Sequence, residues 1–146
     1  EEVGQQRVLD QLSGQADAKG IDLGLGVCEP VAIDGHAPGL QAMLTNLVDN
    51  ALRYTQAGGQ VDVELRVDGA RAVLTVTDNG PGIAAAERER VFDRFYRVAG
   101  TDIPGSGLGL AIVRQVVDLH RGHIELDDAP GGGLLVRVTL PRRRPP

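Results

Sequence analysis

"PGSGLGLAIVRQVVD", Pro104 to Asp118, decides how the rest of the chain is read. Glycines alternate at Gly105, Gly107 and Gly109 and pass without a break into an apolar-periodic segment. That period predicts a helix from Leu108 to His120. A glycine run that opens a helix offers bare backbone N–H groups, no Cβ in the way and the positive end of the helix dipole, all of which suit a phosphate. Two familiar phosphate loops do not fit. The dinucleotide fingerprint needs a third glycine where Leu110 stands, and a strand immediately before it, where Val98 to Ser106 reads as a loop. The P-loop needs Gly-Lys-Ser/Thr, a tripeptide this chain lacks. What remains is a glycine-opened helix entry of another kind, or a flexible loop with no ligand.

The elements around it set the fold class. Val8, Leu12 and Ala16 fall at helical spacing within Val3–Lys19. "IDLGLGV" (Ile21–Val27) and "VAID" (Val31–Asp34) read as strands. Pro38 suits the first turn of a helix that runs to about Tyr54, with Leu40, Met43, Leu44, Leu47, Val48 and Ala51 as its apolar face. "QVDVELRV" and "AVLTVTD" alternate on either side of "DGA" (Asp68–Ala70), a hairpin with Asp-Gly at its tip. Ala84 to Arg97 is helix-prone, and "GHIELDDAPGGGLLVRVTLP" closes the chain with strand, turn and strand. The order predicts an α+β domain: a two-layer α/β sandwich with a mixed, mostly antiparallel sheet covered on one face by helices. Residues 1–141 are expected to form one domain and 142–146 a frayed tail.

Composition narrows the function. The chain has 146 residues, 42% apolar, enough for one core, and only four aromatics, so that core is aliphatic. A net charge of −5 argues against a nucleic-acid partner. The single cysteine, Cys28, excludes an internal disulfide. No apolar run approaches the roughly 18 residues of a membrane span, so no direct membrane contact is expected. The opening "EEVGQQ", without an initiator Met, reads as the start of a piece of a longer protein.

Two further groups of residues carry chemistry. Asn46, Asn50 and Arg53 stand at i, i+4 and i+7, one stripe about 130° from the centre of the apolar face. Carboxamide oxygens suit Mg²⁺ that also shares substrate phosphates, and a guanidinium answers phosphate charge; the bland alternative is a solvated helix face. "TDNGPGI" (Thr77–Ile83) follows a strand directly. Asp78 there can accept a hydrogen bond from an amino group such as adenine N6, and Gly80 and Gly82 permit positive φ and close approach of a flat ring; the alternative is an ordinary turn.

Taken in order, "NLVDNALRYT" (Asn46–Thr55), "DNGPGI" (Asp78–Ile83), "VFDRFYR" (Val91–Arg97) and "GSGLGLAIV" (Gly105–Val113) resemble the N, G1, F and G2 boxes of sensor histidine kinases. The arrangement from about Gln5 to Pro141 resembles their catalytic, ATP-binding domain, of the Bergerat ATPase fold shared with gyrase, the Hsp90 chaperones and the mismatch-repair ATPases. The resemblance implies ATP and Mg²⁺ as ligands. It implies Asn50 as the Mg²⁺ ligand, Asn46 near the terminal phosphate or its waters, Arg53 on phosphate and Tyr54 beside the adenine. Asn46, Asn50 and Arg53 would form the catalytic set. Asp78 would read the adenine amino group, with Gly80, Gly82 and Ile83 forming the base pocket. Arg97 to about Gly105 would cover the nucleotide, and Gly105, Ser106, Gly107, Leu108, Gly109 and Leu110 would close on the triphosphate.

The chain departs from the family at three places. The stretch between Tyr96 and Gly107 is short. Leu134 stands where Thr is frequent, which removes a hydroxyl expected at the sheet edge. Arg121–Gly122 replaces a frequent Gly-Gly. The acceptor context His-Glu/Asp followed by Pro is absent at His36, His120 and His123, so all three read as structural, His120 on helix-end carbonyls. The resemblance therefore implies a domain that binds Mg-ATP and hands its phosphate to a histidine on a separate helical hairpin. It places the domain in the cytoplasm and its parent as a homodimeric inner-membrane sensor that signals to a response regulator. Phe92, Phe95 and Tyr96 read as core packing, to which the family adds contact with the acceptor helices. Two other readings stay open. One is a self-contained ATPase of the gyrase or Hsp90 type, which usually has a carboxylate where Asn46 stands to activate water. The other is a nucleotide-binding interaction module without catalysis.

Overall fold

The computed structural model describes residues 20–28, 37–55, 57–80, 82, 86, 88, 92, 109–129 and 132–142, without the side chains of 25–28, 37 and 54. The five strands are β1 (Asp22–Cys28), β2 (Gln60–Asp68), β3 (Arg71–Asp78), β4 (His123–Ala129) and β5 (Gly133–Pro141). Two helices, α1 (Ala37–Tyr54) and α2 (Gly109–Leu119), complete the described elements. The sheet order is β1-β2-β3-β5-β4. β1 runs parallel to β2, as a crossover through α1 permits, and every other pair is antiparallel. This is the expected mixed, mostly antiparallel sheet. Val3–Lys19, Val31–Asp34 and most of Ala84–Arg97 lie outside the described residues.

Strand parity decides which face is buried. Val61, Val63 and Leu65 of β2, Ala72, Leu74 and Val76 of β3, and Leu134, Val136, Val138 and Leu140 of β5 are all buried on the helix side. Their alternating neighbours are more open, which is the period-two signature of a sheet with one covered face. All six predicted apolar residues of α1 are buried, together with Leu52, and α2 adds Leu110, Val113, Val116 and Val117. The two helices pack against each other, α1 also against β2 and β3, and α2 against β4.

Two chain reversals differ in detail from the sequence expectation. In the hairpin, Asp68 pairs with Arg71, so Asp68 ends β2 and the loop is Gly69–Ala70. Gly69 has φ +59°, and a glycine at the first of two loop positions is what a type II′ turn requires. At the end of α2, Gly122 N–H donates to Val117 O at 2.8 Å and Arg121 N–H to Asp118 O at 3.1 Å. That pair of bonds is a Schellman cap. Its left-handed position is filled by Arg121, φ +58°, where glycine is usual.

Candidate functional site

Asp78 closes β3 on the inward side, because 72, 74, 76 and 78 share one face. It is the one charged side chain buried among the described residues. Its Oδ1 accepts from Gly80 N–H at 2.9 Å and from Leu134 N–H at 3.3 Å. Burial pushes the carboxyl above its ordinary value of 3.8, and these two backbone bonds pull the other way. Beside it, Asn79 pins the loop to the start of β2: Asn79 Oδ1 accepts from Gln60 N–H at 2.8 Å, and Asn79 N–H donates to Gln60 O at 3.2 Å.

Glycines make this corner close-packed. Gly82 has φ +74°, and a Cβ there would lie 3.2 Å from Gly133 O. Gly133 has φ +147°, and a Cβ there would collide with the Asp78 carbonyl oxygen. The start of β5 is thus laid backbone to backbone against the loop after β3. Leu134 lies on an interior strand, buried, and contributes its N–H to Asp78. The expectation of a lost hydroxyl at a sheet edge is corrected accordingly: β5 is flanked by β3 and β4.

On the helix side, Asn46 Nδ2 donates to Ala42 O one turn back at 2.8 Å. Its Oδ1 is therefore the atom turned outward, and it would lie 3.3 Å from a Cβ at Gly109, the first residue of α2. The last glycine of the 105–109 run and the first asparagine of the stripe thus meet. Asn50 follows one turn along α1, partly buried. Arg53, in the last turn, holds Asp49 Oδ2 through Nε at 2.8 Å. Leu110 is buried against the core. The side chain of Tyr54, and Ile83, Arg97, Gly105, Ser106, Gly107 and Leu108, lie outside the described residues. His120 Nδ1 is 2.7 Å from Val116 O, the helix-end contact expected of it. His123 is exposed beside Glu125, and His36 lies outside the described residues.

Sequence reasoning missed Gly133, Leu134 and Asn79. "GGG" at 131–133 read only as a turn, and its partner Asp78 is 55 residues away, beyond any local window.

Fold and polar contacts define a class of protein: a two-layer α+β domain in which Asn46 of one helix meets the first residue of the other, and the ends of β3 and β5 meet at a buried Asp78. Known proteins carry it further. The model of the histidine kinase-, DNA gyrase B- and HSP90-like ATPase family matches residues 35–144. The sensor protein kinase PmrB of Pseudomonas aeruginosa is 49% identical over 140 residues, 94% of this chain and 29% of that protein. A solved structure of the mycobacterial sensor histidine kinase MprB has a TM-score of 0.86 at 38% identity, covering 98% of this chain and 99% of that one. That of the ATP binding domain of PrrB from Mycobacterium tuberculosis has a TM-score of 0.77 at 28% identity, covering 99% and 98%. The chain belongs to this ATPase family, as an ATP-binding catalytic domain of the sensor histidine kinase type. It spans less than a third of the length of PmrB.

Proposed function

We propose that this domain binds Mg-ATP and positions the terminal phosphate for transfer to a histidine on a separate helical acceptor hairpin. One observation carries the reading: Asn46 Oδ1 lies against Gly109, bringing the asparagine stripe of α1 to the glycine-opened end of α2. A phosphate at that end meets backbone N–H groups and the positive helix terminus, with no Cβ to exclude it. The buried Asp78 supplies the second anchor. Both of its described bonds go to Oδ1, and the carboxylate accepts the adenine amino group.

The donor set fits magnesium shared with phosphate. Among the described residues no group of three His, Cys, Asp or Glu converges. Neutral carboxamides beside a phosphate site suit an ion that keeps waters and phosphate oxygens as its other ligands. Asn50 would hold it, and when bound it would neutralise charge on the phosphates. The protein's own part is positioning: Asn46 orients the terminal phosphate or its water shell, Arg53 turns from Asp49 toward phosphate charge, and Asp78 fixes the base. An asparagine at position 46 is a poor general base, which disfavours hydrolysis by this domain alone. The parent, in this reading, is a homodimeric membrane-spanning sensor with this domain in the cytoplasm, and its phosphohistidine serves a response regulator.

Calorimetric titration with a non-hydrolysable ATP analogue, with and without Mg²⁺ and beside the matching GTP analogue, tests the site. Saturable binding that prefers adenine and strengthens with Mg²⁺ is expected. A folded domain that binds neither analogue would overturn the reading.

A further inference from the structure

In the stretch before the glycine run, Arg88 and Phe92 are each tied to a different part of the α2–β4 side of the molecule. Phe92 packs on the hydrophobic core. The guanidinium of Arg114, on α2, stands 5.0 Å from the centre of its ring, within the range of a cation–π contact. Arg88 Nη2 lies 2.6 Å from Asp128 Oδ1, on β4. Asp128 is largely exposed, so this second tie is the weaker anchor. α2 and β4 also pack on each other.

Position along α2 gives the contact its meaning. Arg114 is five residues, or about 7.5 Å of helix rise, beyond Gly109. The same short helix therefore meets Asn46 at its first residue and grips Phe92 through Arg114. Leu110 and Val113 are buried between the two contacts, and Val116 and Val117 just beyond Arg114, so α2 is held as a packed rod.

We infer that Arg114 is a positioning residue: through its stack on Phe92 it passes the placement of the N-terminus of α2, where nucleotide binds, to the segment that contains Arg88 and Phe92. The inference rests on the nucleotide reading given above. Arg114 lies five residues beyond the glycine at the proposed phosphate site and acts on that site only through α2. By linkage, its removal lowers nucleotide affinity by no more than the coupling it breaks.

Hydrogen exchange of the domain with and without the non-hydrolysable Mg-ATP analogue tests it. In the wild type, the analogue is expected to slow exchange both in the first turn of α2 and in the peptide spanning 88–92. In Arg114→Ala, protection of the α2 turn should remain, and analogue affinity should fall by no more than about two- to fivefold, the size of the coupling removed. The added protection at 88–92 should fall about two- to fivefold, the scale of one cation–π contact. Arg114→Lys, which keeps a cation over the ring, should restore much of it, a rescue that simple loosening of α2 would not show. Unchanged analogue-dependent protection at 88–92 in Arg114→Ala would overturn the inference while leaving the nucleotide site standing. No protection anywhere in the wild type would overturn the nucleotide reading and this coupling with it.

Discussion

Strand parity buries Asp78, and the bonds from Gly80 and Leu134 make that burial tolerable. The charge is still costly there. Because the folded carboxyl binds its proton more tightly than the unfolded one, its contribution to stability is fully present below about pH 3.8 and is lost as pH rises through the higher folded value. Asp78→Asn should flatten that part of the stability-versus-pH curve, read by urea unfolding at several pH values. The same substitution should cost more than tenfold in ATP-analogue affinity. It replaces an acceptor-only group by one that also donates, and bonds to charged groups are worth ~1.5–3 kcal/mol. Wild-type affinity should rise with pH over the same window, as the acceptor ionises. Unchanged affinity in a folded Asp78→Asn variant would remove Asp78 from the site. Asn50→Ala gives a separate reading at this scale: affinity with Mg²⁺ should fall far more than affinity without it, and equal losses would exclude Asn50 as the ligand.

At the scale of elements, helix ends and strand junctions matter most. Arg121 occupies a left-handed position that costs an L-residue with a side chain roughly 1–2 kcal/mol. Arg121→Gly should relieve it, less the added entropy of an unfolded glycine, for a net gain of about 0.5–1 kcal/mol in thermal or urea unfolding. Gly122 is different: a Cβ there would meet Leu140 Cδ2 and lie 2.6 Å from Thr139 O. Gly122→Ala should therefore cost about 1–3 kcal/mol by overpacking. A cost at 122 and a gain at 121 would separate the two halves of "RG" as packing and backbone conformation. These details mark where sequence reading stops. The face of α1, the hairpin strands and α2 were legible because their signals are periodic and local: Leu40 to Ala51 by the helical repeat, Val61 to Val76 by alternation. The hairpin loop was displaced by one residue because "DGA" leaves the pairing register open until Asp68 meets Arg71. The buttress of Gly133 and Leu134 on Asp78 was not legible, because it joins strands whose adjacency depends on β5 inserting between β3 and β4.

For the whole molecule, nucleotide binding is separated from phosphate acceptance in the proposed reading. The four boxes could be recognised in order along the chain, but only the fold brings Asn46 to Gly109 and the start of β5 to Asp78. Among the described residues at these two contacts, none is equipped to activate water strongly: Asn46 presents a carboxamide oxygen, and the buried carboxylate of Asp78 is engaged by backbone N–H groups at a strand end. A self-contained ATPase would need a base at the phosphate, and its absence at Asn46 should appear as slow turnover. The isolated domain with Mg-ATP is therefore expected to release phosphate slowly. Adding a separately folded helical hairpin that carries an acceptor histidine should give acid-labile, base-stable phosphorylation of the hairpin without a matching rise in free phosphate. Asn46→Asp tests the distinction further. A carboxylate at that position should raise phosphate release relative to transfer if the terminal phosphate sits where Asn46 meets α2. Rapid phosphate release by the wild-type domain, unaffected by the hairpin, would instead support the gyrase-like reading. Tight analogue binding with neither transfer nor hydrolysis would support a domain that uses nucleotide only as an interaction switch.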